Sequence, residues 1–299
     1  MGHGHDHNHS HNTNKKALLI SFILISVFMV AEVIGGIMTN SLALLSDAGH
    51  MLSDSAALGL SLLAFKLGEK KADSRKTFGY KRFEILAAFL NGIALIAISL
   101  FIFYEASSRF LSPPEVASTG MLIIASLGLL INIAAASILM RGDKENLNVR
   151  SAFLHVLGDL LGSVGAIIAA LCILLFDWGI ADPVASVIVA VLVLISGWRV
   201  TKDAVHVLME GNPVNVNVPG LKEKLQSFPG VLGIHDLHVW AITSDFPTIT
   251  CHIVVNSRVD RDQLLQDISE MLSLEFRIKH STIQVEGDTV THEKHETCN

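Results

Sequence analysis

Residues 42–65, LALLSDAGHMLSDSAALGLSLLAF, form a continuous apolar run that nevertheless carries Asp47, His50 and Asp54. Ionisable groups in a spanning helix are costly, so they face a cavity, a partner or an ion. At about 100° per residue, spacings of three and four put all three side chains on one face, over about two turns. A second run, Leu147–Phe176, repeats the pattern with His155 and Asp159, again four apart. Two imidazoles and two carboxylates from two helices make a closed set of four ligands.

Nitrogen and oxygen ligands in fours suit tetrahedral Zn²⁺, with arms of about 2 Å. The two carboxylates cancel the charge of a divalent ion, so the loaded site is nearly neutral where charge is most costly. An empty site takes up protons on the same atoms, and proton and metal then exclude each other. This competition suffices for exchange if the site opens alternately to each face. Cys and Met are missing from the set, which argues against Cu(I), and the imidazoles argue against Mg²⁺ and Ca²⁺. Zn²⁺ remains as the expected cargo, with Cd²⁺, Co²⁺ and Ni²⁺ as competitors. Asp47 either relays protons or makes a helix-end hydrogen bond or packing contact, and the second is the expectation. Glu32, Asn91, Glu105 and Asn132 are single polar groups that could bond between helices.

The rest of the chain fits this setting. Of its 299 residues, 51% are hydrophobic, and the mean hydropathy is +0.50. That exceeds the apolar share of a soluble domain and indicates an integral membrane protein. Net charge is −6 and no basic patch is interleaved with aromatics, which excludes nucleic acid as an expected partner. No Gly-x-x-x-x-Gly-Lys-Ser/Thr loop is present, so ATP is not the expected energy source. Three widely spaced cysteines give no disulfide framework.

Six apolar runs occur, at Ala17–Met38, Leu42–Phe65, Phe83–Ser107, Gly120–Met140, Leu147–Phe176 and Val184–Val200. Most reach the roughly 20 residues that span a bilayer, and the last is at the short limit. Lys66, Lys70, Lys71, Arg75, Lys76, Lys81, Arg82, Arg141, Lys144 and Arg150 lie in the second-to-third and fourth-to-fifth connections, against Arg109 alone on the other side. This asymmetry puts both termini in the cytoplasm. The second and fifth helices then run in opposite directions, with the His of each at the level of the Asp of the other. Gly158 and Gly162 give a small-x-x-x-small step beside the site, where a neighbouring helix can approach.

Residues 1–14 place His3, His5, His7, His9 and His11 among Gly, Asn, Asp and Ser, and are expected to be a disordered tail that either gathers metal loosely or is merely solvated. They do not form a signal peptide. The membrane domain is assigned to 15–208, a cytosolic α+β domain to 209–288 and a flexible tail to 289–299. In the cytosolic part the pattern reads helix, strand, strand, helix, strand, a small ferredoxin-like sandwich. His235, His252, His280 and Glu286 could form a second, sensing site there, or be surface histidines on a sheet. Alternation places His235 and His238 on opposite faces.

The run Asn40–Asp54, with Phe78-Gly-Tyr-Lys-Arg-Phe-Glu84 and His155-Val-Leu-Gly-Asp159, resembles the cation diffusion facilitator family, above all its bacterial zinc, cobalt and cadmium resistance members. The resemblance covers about Lys15 to Glu286. It implies a homodimeric metal/proton antiporter of the bacterial plasma membrane that exports Zn²⁺, with a metallochaperone-like cytosolic domain that dimerises and binds regulatory zinc. By resemblance, His50, Asp54, His155 and Asp159 match the transport ligands, and His235, His252, His280 and Glu286 fall where relatives place cytosolic ligands. The family's inter-domain charge interlock falls on Arg82 and Glu210. The loop from Lys66 to Lys81 holds no His, which departs from relatives that bind metal there. The competing reading is a membrane-tethered metal sensor or metallochaperone, which has no need of paired ligands within the bilayer.

Overall fold

The computed structural model describes residues 7–68, 73–140, 147–243 and 246–288, while the side chains at 7–21, 53–54, 57–58, 60–68, 135–136, 138–140 and 147–159 lie outside the described set. Six long helices come first: α1 (His7–Thr39), α2 (Leu42–Gly68), α3 (Phe83–Leu111), α4 (Ser118–Met140), α5 (Leu147–Phe176) and α6 (Ala181–Leu208). Each holds one apolar run, because a helix is the only open structure that satisfies its own backbone groups in lipid. Among the described residues, Phe22–Thr39, Phe83–Leu111 and Ala181–Leu208 are long and apolar enough to cross a membrane. Ser118–Ala134 and Leu160–Phe176 are shorter apolar segments of the same kind.

Two boundaries differ from the sequence reading. Helix α1 begins at His7, so residues 7–14 are helical rather than a loose tail. Once the apolar span has nucleated, each added residue needs to fix only one more backbone unit for one more hydrogen bond. Helix α6 runs to Leu208, well past the apolar run that ends at Val200, and is no longer at the short limit. The expected tails at residues 1–6 and 289–299 lie outside the described residues.

The chain divides into two compact units, the first comprising Met1–Glu69 and Ala87–Thr201, the second Lys70–Leu86 and Lys202–Asn299. In the first, the pairing of α1 with α2 can be read from three contacts. A Cβ at Gly59 would meet the Phe22 ring at 3.1 Å, Ser26 and Ser55 hydroxyls lie 2.6 Å apart, and a Cβ at Gly36 would meet Leu45 at 2.8 Å. Each step up α1 matches an equal step down α2, so the two are antiparallel and in constant register. Helix α4 also opposes α1, through Thr39 at Gly120, Ile124 at Gly35 and Phe28 at Gly128. It therefore parallels α2.

The α1–α2 connection is held by a buried carboxylate. Asn40 adopts φ 55, a left-handed conformation that Asn tolerates, and Ser41 caps α2 by accepting from Leu44 N at 3.2 Å. Asp182, in the first turn of α6 and 0% exposed, accepts from Ser41 Oγ (2.6 Å), Leu42 N (2.8 Å) and Ala43 N (3.2 Å). Arg109 at the end of α3 lies 3.8 Å from Asp182 and donates to the Asn40 carbonyl at 2.7 Å. A negative group at a helix N-terminus is favoured by the helix dipole, and here it also ties three helix ends together.

The second unit contains α7 (Val218–Gln226), β1 (Val231–Ala241), β2 (Pro247–Val255), α8 (Arg261–Glu275) and β3 (His280–Gly287). Asn217 and Asp260 cap the two helices by accepting backbone N–H bonds. The sheet order is β1-β2-β3, with β1 antiparallel and β3 parallel to β2; α8 supplies the crossover that a parallel pair requires. Leu221 and Leu225 of α7 and Leu264, Ile268 and Leu272 of α8 pack on Ile249, Cys251, Ile253 and Val255 of β2. One face of the sheet is thus covered and the other carries His252, Thr250 and their neighbours. The α2–α3 connection belongs to this unit: Lys81 Nζ sits 3.6 Å over the Phe246 ring, and Arg82 meets Glu210 at 3.3 Å, as the interlock position implied. Both members of that pair are well exposed, which limits it to about 1 kcal/mol.

Candidate functional site

The helical site is organised by the approach of α2 to α5. Helix α5 returns from α4 after residues 141–146, so it runs opposite to α2. Asp47, 3% exposed, is seated on α5 at Gly162, where an added Cβ would fall 2.6 Å from Asp47 Oδ1. Glycine is required there because the carboxylate occupies the space of a side chain. From this contact, three residues along α2 to His50 correspond to three residues back along α5 to Asp159. Seven residues to Asp54 correspond to seven back to His155. The register therefore sets each His position level with an Asp position of the other helix. His50 is half-buried; the side chains of Asp54, His155 and Asp159, and Gly158, lie outside the described residues.

Other buried polar groups surround this level. Asn132 of α4 donates to Ser163 Oγ of α5 at 3.4 Å, an interhelical bond of the kind its isolation implied. Glu105 bonds Arg109 at 3.0 Å along its own helix. Glu32 is fully buried, with its Oε1 against Gly128 of α4.

The second cluster lies on the open face of the sheet. His235 Nε2 is 3.2 Å from Glu286 Oε2, His252 Nδ1 is 2.9 Å from Glu286 Oε1, and the two imidazole centroids are 4.9 Å apart. Glu286 is 4% exposed and also accepts from Gln284 Nε2 at 2.8 Å. A tetrahedron with arms of about 2.0–2.1 Å has edges of about 3.3 Å. Each imidazole nitrogen is thus within a few tenths of an ångström of such an edge from one oxygen of Glu286, His235 from Oε2 and His252 from Oε1.

Two features here depart from the sequence reading. Strand β1 has a bulge between His235, opposite His252, and His238, opposite Thr250. Asp236 and Leu237 on β1 face the single residue Cys251 on β2, so His235 and His238 lie on the same face, and strict alternation fails. The bulge puts Asp236 at φ 48 and brings its carboxylate 3.8 Å from His235 Nδ1. His235, Asp236 and His252 offer ligand atoms within 4.8 Å of one another. Asp236 was not singled out from sequence; the available signal was an Asp, tolerant of positive φ, beside a candidate ligand His.

His280 is not with them. It begins β3 opposite Thr248, four residues along β2 from His252, or about 13 Å at 3.3 Å per residue. Its ring instead contacts Phe78 of the α2–α3 connection at 5.6 Å and Phe246 at 5.7 Å. Of the four cytosolic candidates, the structure gathers three within one chain.

Six apolar helices followed by an α+β unit bearing a His/carboxylate cluster define a polytopic membrane protein with an appended α+β domain. Residues 18–209 match the cation efflux transmembrane domain, and residues 213–288 match the cation efflux protein cytoplasmic domain. The chain belongs to the cation diffusion facilitator, or cation efflux, family. It is 55% identical over 291 residues to the cadmium, cobalt and zinc/H(+)-K(+) antiporter of Bacillus velezensis, covering 96% of this chain and 93% of that protein. It is 42% identical over 274 residues to the metal cation efflux system protein CzcD of Cupriavidus metallidurans, covering 91% and 87%. A solved metal-bound C-terminal domain of the CzcD transporter is 36% identical, covers 24% of this chain and 99% of that one, and has a TM-score of 0.23.

Proposed function

We propose that the chain exports Zn²⁺, together with Cd²⁺ and Co²⁺, from the cytoplasm in exchange for external protons. His50 and Asp54 of α2 and His155 and Asp159 of α5 are the proposed ligands, and the cargo passes between them as the site opens alternately to each side. The observation that carries this reading is the seating of Asp47 on Gly162, whose register matches each His position with an Asp position across the pair of helices. The two carboxylates neutralise the ion, and protons arriving from outside displace it from the same atoms. Relatives named as cadmium, cobalt and zinc antiporters, at 55% and 54% identity, support the substrate class.

The membrane is the bacterial plasma membrane, with both termini cytoplasmic by the excess of Lys and Arg in two of the connections. The functional form is a homodimer joined through its cytosolic domains. His235, His252 and Glu286, with Asp236 beside them, hold a regulatory Zn²⁺ in this reading; His280 stays a ligand candidate only if a second copy of the chain supplies its partners. This assigns metal sensing to the cytosolic unit of a transporter.

The test uses the purified chain in sealed vesicles containing a zinc-sensitive dye and a pH dye. An imposed pH difference drives Zn²⁺ uptake, His50→Ala and Asp159→Ala abolish it, and both variants remain folded by thermal unfolding. An added K⁺ gradient tests the second counter-ion in the relatives' names. Unchanged uptake in both variants would reject the ligand set.

A further inference from the structure

The α2–α3 connection is a folded piece of chain from Asp73 to the start of α3. Asp73 Oδ1 accepts from Arg75 N and Lys76 N, each at 2.8 Å, and the Asp73 and Lys76 backbones exchange two further bonds at 3.3 and 3.2 Å. Gly79 turns the chain at φ 71, a conformation that glycine adopts at least cost, and its N–H meets the Lys76 carbonyl at 2.8 Å. Lys76 Nζ lies 4.1 Å over the Tyr80 ring, and Phe83 N donates to the Tyr80 carbonyl at 3.0 Å as α3 begins. Three side chains of this piece then reach the cytosolic unit, to which Lys70–Leu86 belong. Phe78, still 45% exposed, meets the His280 ring edge to face, with centroids 5.6 Å apart and planes at 79°. Lys81 Nζ caps the Phe246 ring at 3.6 Å, and that ring is 5.7 Å from His280. Both geometries are the favoured ones for ring quadrupoles. The anchors come from three places: Phe246 leads into β2, His280 opens β3, and Glu210, which receives Arg82, follows α6.

We propose that Phe78, Phe246 and His280, with Lys81, form a latch that positions the α2–α3 connection, and that His280 acts in it through its ring. Helix α2 carries His50 and Asp54, two of the proposed ligands, and only residues 69–72 separate its end at Gly68 from the docked piece. Helix α3 starts directly from that piece. A movement of the cytosolic unit is therefore passed to the adjoining ends of both helices, since a folded and docked segment transmits displacement where a slack one absorbs it. The exposed Arg82–Glu210 pair is screened by salt, whereas the ring contacts lose little, so the rings hold the connection when the ion pair does not. These are positioning residues: none of them touches the cargo. The register of β3 on β2, which takes His280 away from Glu286, is what frees its ring for this contact.

The effect on transport rests on the metal-exchange reading; the docking itself does not, and two measurements keep them apart. In the first, amide hydrogen exchange is followed by mass spectrometry on the full-length chain in lipid nanodiscs, at about 1 M KCl to screen the Arg82–Glu210 pair. Exchange over residues 73–83 rises about tenfold in His280→Ala and in Phe78→Ala, while His280→Phe, which keeps a ring and loses the imidazole nitrogens, stays at the unsubstituted level. In the second, Zn²⁺ uptake is measured in sealed vesicles. His280→Ala lowers the maximal rate about tenfold with less than about a threefold change in the half-saturating Zn²⁺ concentration, and His280→Phe restores the rate. Exchange that neither alanine variant alters overturns the latch. Exchange that rises with uptake unchanged overturns its positioning role. Uptake lost in His280→Phe while residues 73–83 stay protected would show that the nitrogens, not the ring, are what His280 contributes, and overturns the assignment. Uptake that survives His50→Ala and Asp159→Ala would instead strike the exchange reading and leave the docking standing.

Discussion

Asp47 Oδ1 fills the space that a side chain at Gly162 would need, with only 2.6 Å left for a Cβ. This contact fixes the register of α2 against α5, and therefore whether the four proposed ligands meet. Gly162→Ala forces either the carboxylate or the helix to move, at a cost of about 1–3 kcal/mol. It also lowers Zn²⁺ affinity by at least about tenfold, because the levels of the His and Asp positions no longer agree. Asp47→Ala in the same chain removes the clash and recovers part of the affinity. Calorimetric titration in detergent checks both; a Gly162→Ala chain that binds as before would show that the contact does not set the site.

Asp182 is a cap supplied from another helix. Asp182→Ala leaves the buried Ser41 hydroxyl and two α2 amides without their acceptor and removes one of the two carboxylates beside Arg109, the other being Glu105. Breaking a buried charged network of this kind costs about 3–5 kcal/mol. Asp182→Asn keeps one carbonyl acceptor and loses less. Thermal unfolding of the two variants against the unsubstituted chain gives the order, and equal melting temperatures would refute the cap.

Hydropathy made the six helices legible because a membrane span needs about 20 apolar residues whatever its tertiary partners. The His-x-x-x-Asp pairs stood out because charge in such a run has no bland surface to occupy. What sequence could not supply was relational. Gly162 was legible as a small residue, but not that an Asp from another helix takes up its space. Asp182 gave no signal, since its partners are 139–141 residues away. Periodicity in β1 was misleading because a bulge adds one residue without changing the alternating composition. The place of His280 depended on parallel register along β2, which no local pattern encodes.

Cys251 lies in the sheet core, and burial pushes its thiol up from 9.0 to about 12. A thiol whose folded pKa is raised contributes full stability below its unfolded value and loses it as pH climbs through the interval. The cytosolic unit is therefore indifferent to this group below about pH 9 and loses stability between there and about pH 12. Iodoacetamide at pH 8 leaves Cys251 unmodified in the folded chain and labels it after unfolding, by mass spectrometry. Rapid labelling of the native protein would contradict the burial argument.

The cytosolic cluster and His280 make opposite predictions. In a His50→Ala background, which silences the proposed transport site, Glu286→Ala removes the carboxylate that both His235 and His252 approach within 3.2 Å. Zn²⁺ affinity of the remaining cytosolic site then falls about 100-fold, the loss of one ligand of three with its charge. His280→Ala, about 13 Å along the strand, leaves that affinity unchanged in the monomeric chain and instead loosens the ring contacts with Phe78 and Phe246. If a second copy brings its own His280 to the cluster, His280→Ala weakens binding only at protein concentrations where dimers form. Titration at two protein concentrations distinguishes the cases. A concentration-independent loss as large as that of Glu286→Ala would mean that His280 reaches the site within one chain, against the register of β2 and β3.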